Sequence, residues 1–333
     1  MVSVFKSGPW PSFQVWIAGP CKWLESLIDW RIVTPPDTCP SCGQPRPDRY
    51  CGHCGERATE PDELSFSRFL RSLAEEIVPS FDVEEDQPVK RMGGRVYRTA
   101  YTLFRHPGQL TADYIRGRRR PYMKPVQVFL VISLLFFLFG DNYFRFTLGE
   151  YENVPIYGET FDAVAAEQQR LGLSADGYAS VFNERLVSHK KLVMALTVPI
   201  FALGFRPLFR RRRYGEHLVF SIHFFALSLL FMITVMFAIF RVVLAVARAI
   251  YRVNPELANT IGRGLDSEVV IVLLLYVPMF CYLMVALRRV YGDGLLVNAG
   301  KALVLVIWHI AMLIIVFKNV LFFTTYYSLK WFG

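Results

Sequence analysis

Leu218-Val-Phe-Ser-Ile-His223-Phe-Phe-Ala-Leu-Ser-Leu-Leu-Phe-Met-Ile-Thr-Val-Met-Phe-Ala-Ile-Phe240 is a run of 23 residues without a formal charge. As a helix rising ~1.5 Å per residue it is long enough to cross ~30 Å of hydrocarbon. Val269–Leu287 is a second such run, of 19 residues. Pro125–Gly140 holds 16 uncharged residues, which Asn142, Tyr143 and Phe144 can lengthen. Leu192–Phe205 is shorter, but Lys190, Lys191 and Arg206 at its ends can snorkel to the interface. Ala302–Phe317 continues past Lys318 to Tyr326-Tyr327. The chain of 333 residues is 53% hydrophobic and 15% aromatic, with a mean hydropathy of +0.31. That excess is gathered into long runs, which points to a bilayer rather than a large soluble core. The reading is an all-α polytopic membrane protein of about five spans, near 125–144, 191–209, 218–240, 269–287 and 302–325. The count falls to four if the second is re-entrant.

Charge sets the orientation. Lys90 to Lys124 carries ten Lys/Arg and one acid, Asp113, next to the first span. The loop before the third span contains Arg210-Arg211-Arg212-Arg213, and the next loop on that side carries Arg288, Arg289 and Lys301. On the opposite side, Asp141–Lys191 holds eight acids against five bases. The positive-inside rule then puts the N-terminus in the cytoplasm and the C-terminus outside. Arg241, Arg248 and Arg252 go against that rule. The net +9 is on this reading mostly a topology signal and argues little for nucleic acid. The first 38 residues show no continuous apolar core followed by a cleavage site, so no secretory signal is expected.

Four of the six cysteines form two knuckles, Cys39-Pro-Ser-Cys42-Gly and Cys51-Gly-His-Cys54-Gly. Two thiolates two residues apart grip one side of a tetrahedral ion, and a second pair completes the shell. The glycine after each knuckle can take φ > 0 and turn backbone amides toward the sulfurs. Disulfides are the alternative, and a reducing cytosol favours metal. One structural zinc on Cys39, Cys42, Cys51 and Cys54 is the expectation. Four thiolates leave no open position, so such a site stabilises a fold or presents a docking platform and does not catalyse. Arg46, Arg49 and Arg57 offset the charge of a tetrathiolate. Cys21 and Cys281 read as inert.

The domain plan follows. Residues 1–38, with Trp10, Trp16, Trp23 and Trp30, form an amphipathic extension suited to headgroups or a partner. Residues 39–57 are the ribbon, 62–124 juxtamembrane helices, and 125–333 the bundle. Phe66, Phe69, Leu70, Leu73 and Ile77 follow helical spacing, capped by Ser65 or Ser67, and an acidic loop at 82–86 follows. A helix is expected over Arg95–Arg105, ended by His106-Pro107-Gly108, and another near Gln109–Arg116, closed by Gly117 in a left-handed cap. Phe161–Leu171 is expected to be helical in the outer loop.

Two further clusters carry chemistry. Arg116, Arg118, Arg119, Arg120, Tyr122 and Lys124 abut the first span and read as a topology anchor meeting anionic inner-leaflet headgroups. The sharper reading is a phosphate-recognising loop. Glu216, His217 and His223 enter the third span, and His309 lies at a similar depth in the fifth, so the imidazoles could share one layer. Ionisable groups at depth suggest a metal site, a proton relay or hydrogen-bond glue. Pro199 and Pro278 fall inside spans. No nucleophile elbow, phosphate loop or dinucleotide glycine pattern occurs.

The paired CxxCG knuckles, then Leu103-Phe-Arg-His-Pro-Gly108, Tyr114-Ile-Arg-Gly-Arg118-Arg-Arg-Pro-Tyr122, a span, and Glu216-His217-Leu-Val-Phe-Ser-Ile-His223 together resemble a bacterial membrane-protein family, domain of unknown function 3667. The resemblance covers about residues 38–235 and leaves out the Trp-rich extension. It implies the ribbon and several spans, and no activity. The leading functional expectation is non-enzymatic: a ribbon that stiffens the membrane-facing region or recruits a cytosolic protein. The alternatives are a transporter or channel using His223, His309 and Arg206, and a headgroup enzyme using Glu216, His217 and His223.

Overall fold

The computed structural model describes residues 38–58, 88–139, 146–152, 158–251, 256 and 268–332. The Trp-rich extension up to residue 37, the helix expected over 66–77 and the acidic loop at 82–86 lie outside the described residues. Among those described, the regular structure is helical, and β-pairing occurs only as two isolated bridges in the cysteine knuckles.

Helix α1, Pro88–Arg105, and the short α2, Gln109–Ile115, precede the bundle. Both stop where the sequence predicts: His106-Pro107-Gly108 separates them, and Gly117 takes φ 87° beyond α2. The Arg118 amide donates to the Asp113 carbonyl at 2.8 Å and Gly117 to Tyr114 at 3.1 Å, which closes α2 in a left-handed cap.

The bundle comprises α3 (Pro125–Phe139), α6 (Ala175–Leu203), α7 (Tyr214–Tyr251), α8 (Glu268–Tyr291) and a last helix in three parts. These parts are α9 (Leu295–Ala311), a π-helical segment Met312–Phe317, and α10 (Lys318–Phe332). Between α3 and α6 lie α4 (Gly149–Glu152) and α5 (Gly158–Leu171). Four helices are long and apolar enough to cross a membrane: Ala175–Leu203, Tyr214–Thr234, Val272–Tyr291 and Leu295–Trp331. Pro125–Phe139 is a shorter apolar one. Leu130, Leu134 and Leu138 on α3, Leu192 and Leu196 on α6, and Leu303 and Ile307 on α9 stay exposed. Apolar surface of that extent needs lipid around it. The chain is a multi-pass membrane protein.

The second span differs in extent from its expected 191–209. Helix α6 begins at Ala175, because Tyr178, Phe182 and Leu186 recur every fourth residue and are all buried. That half is amphipathic, so a search for uniformly apolar runs passes over it. It packs on α10 beside α4 and α5, and Phe322 centres the contact. Its ring lies 5.0 Å from Tyr151, 5.6 Å from Phe182 and 6.1 Å from Phe161. The segment between α3 and α6 and the end of the last helix therefore form one core, continuous with that of the bundle.

Candidate metal centre

The two knuckles repeat one local fold. Cys39 donates its amide to the Gln44 carbonyl and Gly43 donates to Cys39, both at 2.8 Å. The second knuckle repeats this, with Cys51 to Glu56 at 2.9 Å and Gly55 to Cys51 at 2.7 Å. Thr38 bridges to Pro45 and Tyr50 to Arg57 at equivalent positions. Gly43 and Gly55 sit at φ 74° and 71°, where glycine alone avoids a steric cost.

This geometry brings all four sulfurs within 4.8 Å of one another. Cys39 Sγ is 3.5 Å from Cys54 Sγ, and Cys42 Sγ is 3.6 Å from Cys51 Sγ. These separations are far beyond the ~2.05 Å of a disulfide. A tetrahedron with metal–sulfur bonds of ~2.3 Å has an edge of about 3.8 Å, so the donor set fits an ion with little movement. Backbone hydrogen bonding from Cys54, with His53 adding, holds the Cys51 thiol down to about 6. Burial pushes Cys54 up to about 12 and Cys42 upward. A bound cation would draw the remaining protons off outright.

The ribbon is seated on its own chain. Glu56, only 5% exposed, accepts the amides of Arg119 at 3.0 Å and Arg120 at 2.8 Å. Ser41, inside the first knuckle, donates its hydroxyl to the same carboxylate oxygen. Arg120 Nε in turn donates to the Cys54 carbonyl. Its guanidinium lies so close over Gly55 that a Cβ there would meet Nη2 at 2.7 Å. Sequence reading missed Glu56. Its only mark was its position directly after the second knuckle, where the first has Gln44.

The cationic set has distinct fates. Arg118 faces the buried Asp113 at 3.8 Å, and Tyr122 donates to the same carboxylate at 2.9 Å. Arg119 lies 4.4 Å over the Tyr114 ring, while Arg116 and Lys124 are exposed. Burial raises the Asp113 carboxyl above its ordinary range, against the pull of Arg118, Tyr122 and Gln109. Burial, with Asp113 beside it, pushes Tyr122 up to about 12, so the phenol keeps its proton and acts as donor.

Helix α2 is pressed into the end of the bundle. Gly108, at φ 74°, approaches α8 so closely that a Cβ would stand 2.7 Å from the Ala286 carbonyl oxygen and 2.8 Å from its Cα. Arg289 donates to the Pro107 carbonyl at 2.8 Å. Thr111 meets His223 Nδ1 at 2.9 Å. The other expected intramembrane residues have separate partners. His217 Nδ1 meets the Tyr291 hydroxyl at 2.8 Å, and Glu216 pairs with Arg212 at 3.4 Å. His309 sits among the rings of Phe201, Phe224, Phe225 and Tyr276, at 5.3–5.9 Å. Among the described residues, the four cysteines are the one group of three or more His, Cys, Asp or Glu that could hold a metal.

A family described as protein of unknown function (DUF3667) matches residues 94–137. The match runs from α1 through α2 into α3 and includes the Leu103–Gly108 and Tyr114–Tyr122 motifs. It is narrower than the resemblance read from the sequence, and the ribbon lies outside it. No curated protein and no solved structure matches the chain.

Proposed function

We propose that this protein is a non-enzymatic integral protein of the bacterial inner membrane whose zinc ribbon is a structural clamp on the loop entering the first span. The observation that carries this reading is Glu56. A buried carboxylate that accepts two backbone amides from that loop is a specific attachment, since burying it without such partners is costly. The ion would hold the two knuckles together, and with them Ser41 and Glu56, at the spacing that the loop amides require. Zinc suits an all-thiolate tetrahedral set and needs no redox change. The cytoplasm is the compartment that keeps the four thiols available.

A second reading, recruitment of a cytosolic protein, is favoured by the exposure of Tyr50 at 56%, alongside exposed Arg49 on the ribbon. Arg116 and Lys124 remain suited to anionic inner-leaflet headgroups. Transport through His223 and His309, or headgroup chemistry at Glu216, His217 and His223, would require these side chains to act together. Each has its own partner instead.

Elemental analysis of the purified chain tests the ion: one zinc per chain is expected, and none once Cys39 and Cys42 become serine. Reporter fusions test the orientation. A fusion near residue 40 should stay in the cytoplasm, and one after residue 332 should be exported. An exported ribbon would remove both the metal and the clamp.

A further inference from the structure

We infer that α1 is a membrane-surface helix whose exposed aromatic face rests on anionic lipid headgroups beside the bundle. Only three of its residues from position 93 onward are buried: Thr99, Thr102 and Leu103. They hold one side of the helix against the rest of the protein. The Met123 amide donates to Thr99 Oγ1 at 3.0 Å, two residues before α3 begins at Pro125. That bond fixes α1 at the height where the first membrane helix starts.

The opposite side is unlike a solvated helix face. Tyr97, Tyr101 and Phe104, spaced i, i+4, i+7, form one stripe and are 70%, 48% and 47% exposed. The Tyr97 and Tyr101 rings stack at 6.1 Å, and His106 meets Tyr101 edge-on at 5.8 Å. Tyrosines at that level, apolar in body and polar at the tip, suit the headgroup boundary. Charge selects the lipid. The sequence of α1, PVKRMGGRVYRTAYTLFR, has five Lys/Arg and no acid. Arg98 and Arg105, seven apart, share one flank of the aromatic stripe. A helix that is basic along one flank, aromatic on its free face and pinned at the foot of a membrane helix matches an anionic bilayer surface. This inference needs no ion in the ribbon.

The test uses the full-length protein in nanodiscs of mixed phosphatidylethanolamine and phosphatidylglycerol, with the photoreactive residue p-benzoylphenylalanine at position 97 or 101. Irradiation followed by intact mass measurement should show addition of one phospholipid at either position. The same residue at Leu134, in the lipid-facing belt, calibrates the yield, and at Tyr50 on the ribbon it should give no lipid adduct. Arg98→Glu with Arg105→Glu should cut the phosphatidylglycerol adduct at position 101 severalfold and leave that at position 134 unchanged. Absence of lipid adducts at both 97 and 101 would overturn the inference. So would capture of a protein by these positions in native membranes, or a yield insensitive to the two charge reversals.

Discussion

Glu56→Ala is the sharpest perturbation of the clamp. It removes a buried acceptor for the amides of Arg119 and Arg120 and for the Ser41 hydroxyl. Hydrogen bonds to a charged group contribute ~1.5–3 kcal/mol each, and three on one carboxylate share its desolvation and so do not add. We therefore expect docking to weaken by about 3 kcal/mol, or roughly 100-fold in its equilibrium. The bond from Arg120 Nε to the Cys54 carbonyl stays in place and does not protect either amide. Hydrogen–deuterium exchange of a peptide covering residues 117–122, in detergent-solubilised protein, reads the change directly. The amides of Arg119 and Arg120 should exchange on the order of 100-fold faster, following the opening equilibrium. Metal content should stay the same, because Glu56 is not among the four sulfur donors. Glu56→Gln, which keeps one acceptor oxygen without the charge, should fall between. Unchanged exchange in Glu56→Ala would refute the clamp. Loss of metal along with protection would show instead that Glu56 serves the internal fold of the ribbon.

Four further outcomes follow from the same geometry. Cys39→Ser with Cys42→Ser should release the metal and speed exchange at Arg119 and Arg120 as far as Glu56→Ala does; adding Glu56→Ala should change little more, since both open the same contact. Gly108→Ala should cost about 2–5 kcal/mol, from its left-handed φ and the clash with Ala286, and thermal unfolding should register it. Gly43→Ala has nothing within 4 Å and should cost only the backbone share. Thr111→Val should leave His223 Nδ1 without its partner and lower stability by ~1–3 kcal/mol, with Thr111→Ser restoring most of it; equal melting of all three proteins would refute the contact. Asp113 has a folded pKa above its ordinary 3.8. The native state therefore holds its proton longer than the unfolded chain does, and the stability associated with Asp113 declines as pH rises through the folded value. Asp113→Asn should gain on the parent protein as pH rises above 3.8 and run parallel to it below; a constant offset would contradict the burial.

Much of the site and the fold could be read directly from residue order. The knuckles announced which four sulfurs would meet, because such a turn is local: Cys39 and Cys42, or Cys51 and Cys54, are brought together by one glycine-terminated turn. The ends of α1 and α2 were equally legible at Pro107, Gly108 and Gly117, since those residues limit φ or extend it wherever they occur. Asp113 and Tyr122 were visible only as parts of a cationic stretch. Their hydrogen bond depends on the chain reversing after α2, which places the phenol back over that helix.

Residue order alone determined that the chain enters a bilayer and that four sulfurs can meet. Uncharged length and turn geometry are properties of contiguous segments, and they hold whatever the rest of the molecule does. Only the tertiary structure decided that Glu56 grips the Arg119 and Arg120 amides, that Ala175–Lys191 continues a membrane helix, and that His217, His223 and His309 take separate partners. Each of those outcomes sets a desolvated polar group or an amphipathic face against residues far away in the chain. The free energy of burial depends on what stands opposite, and that is known only once the helices have packed.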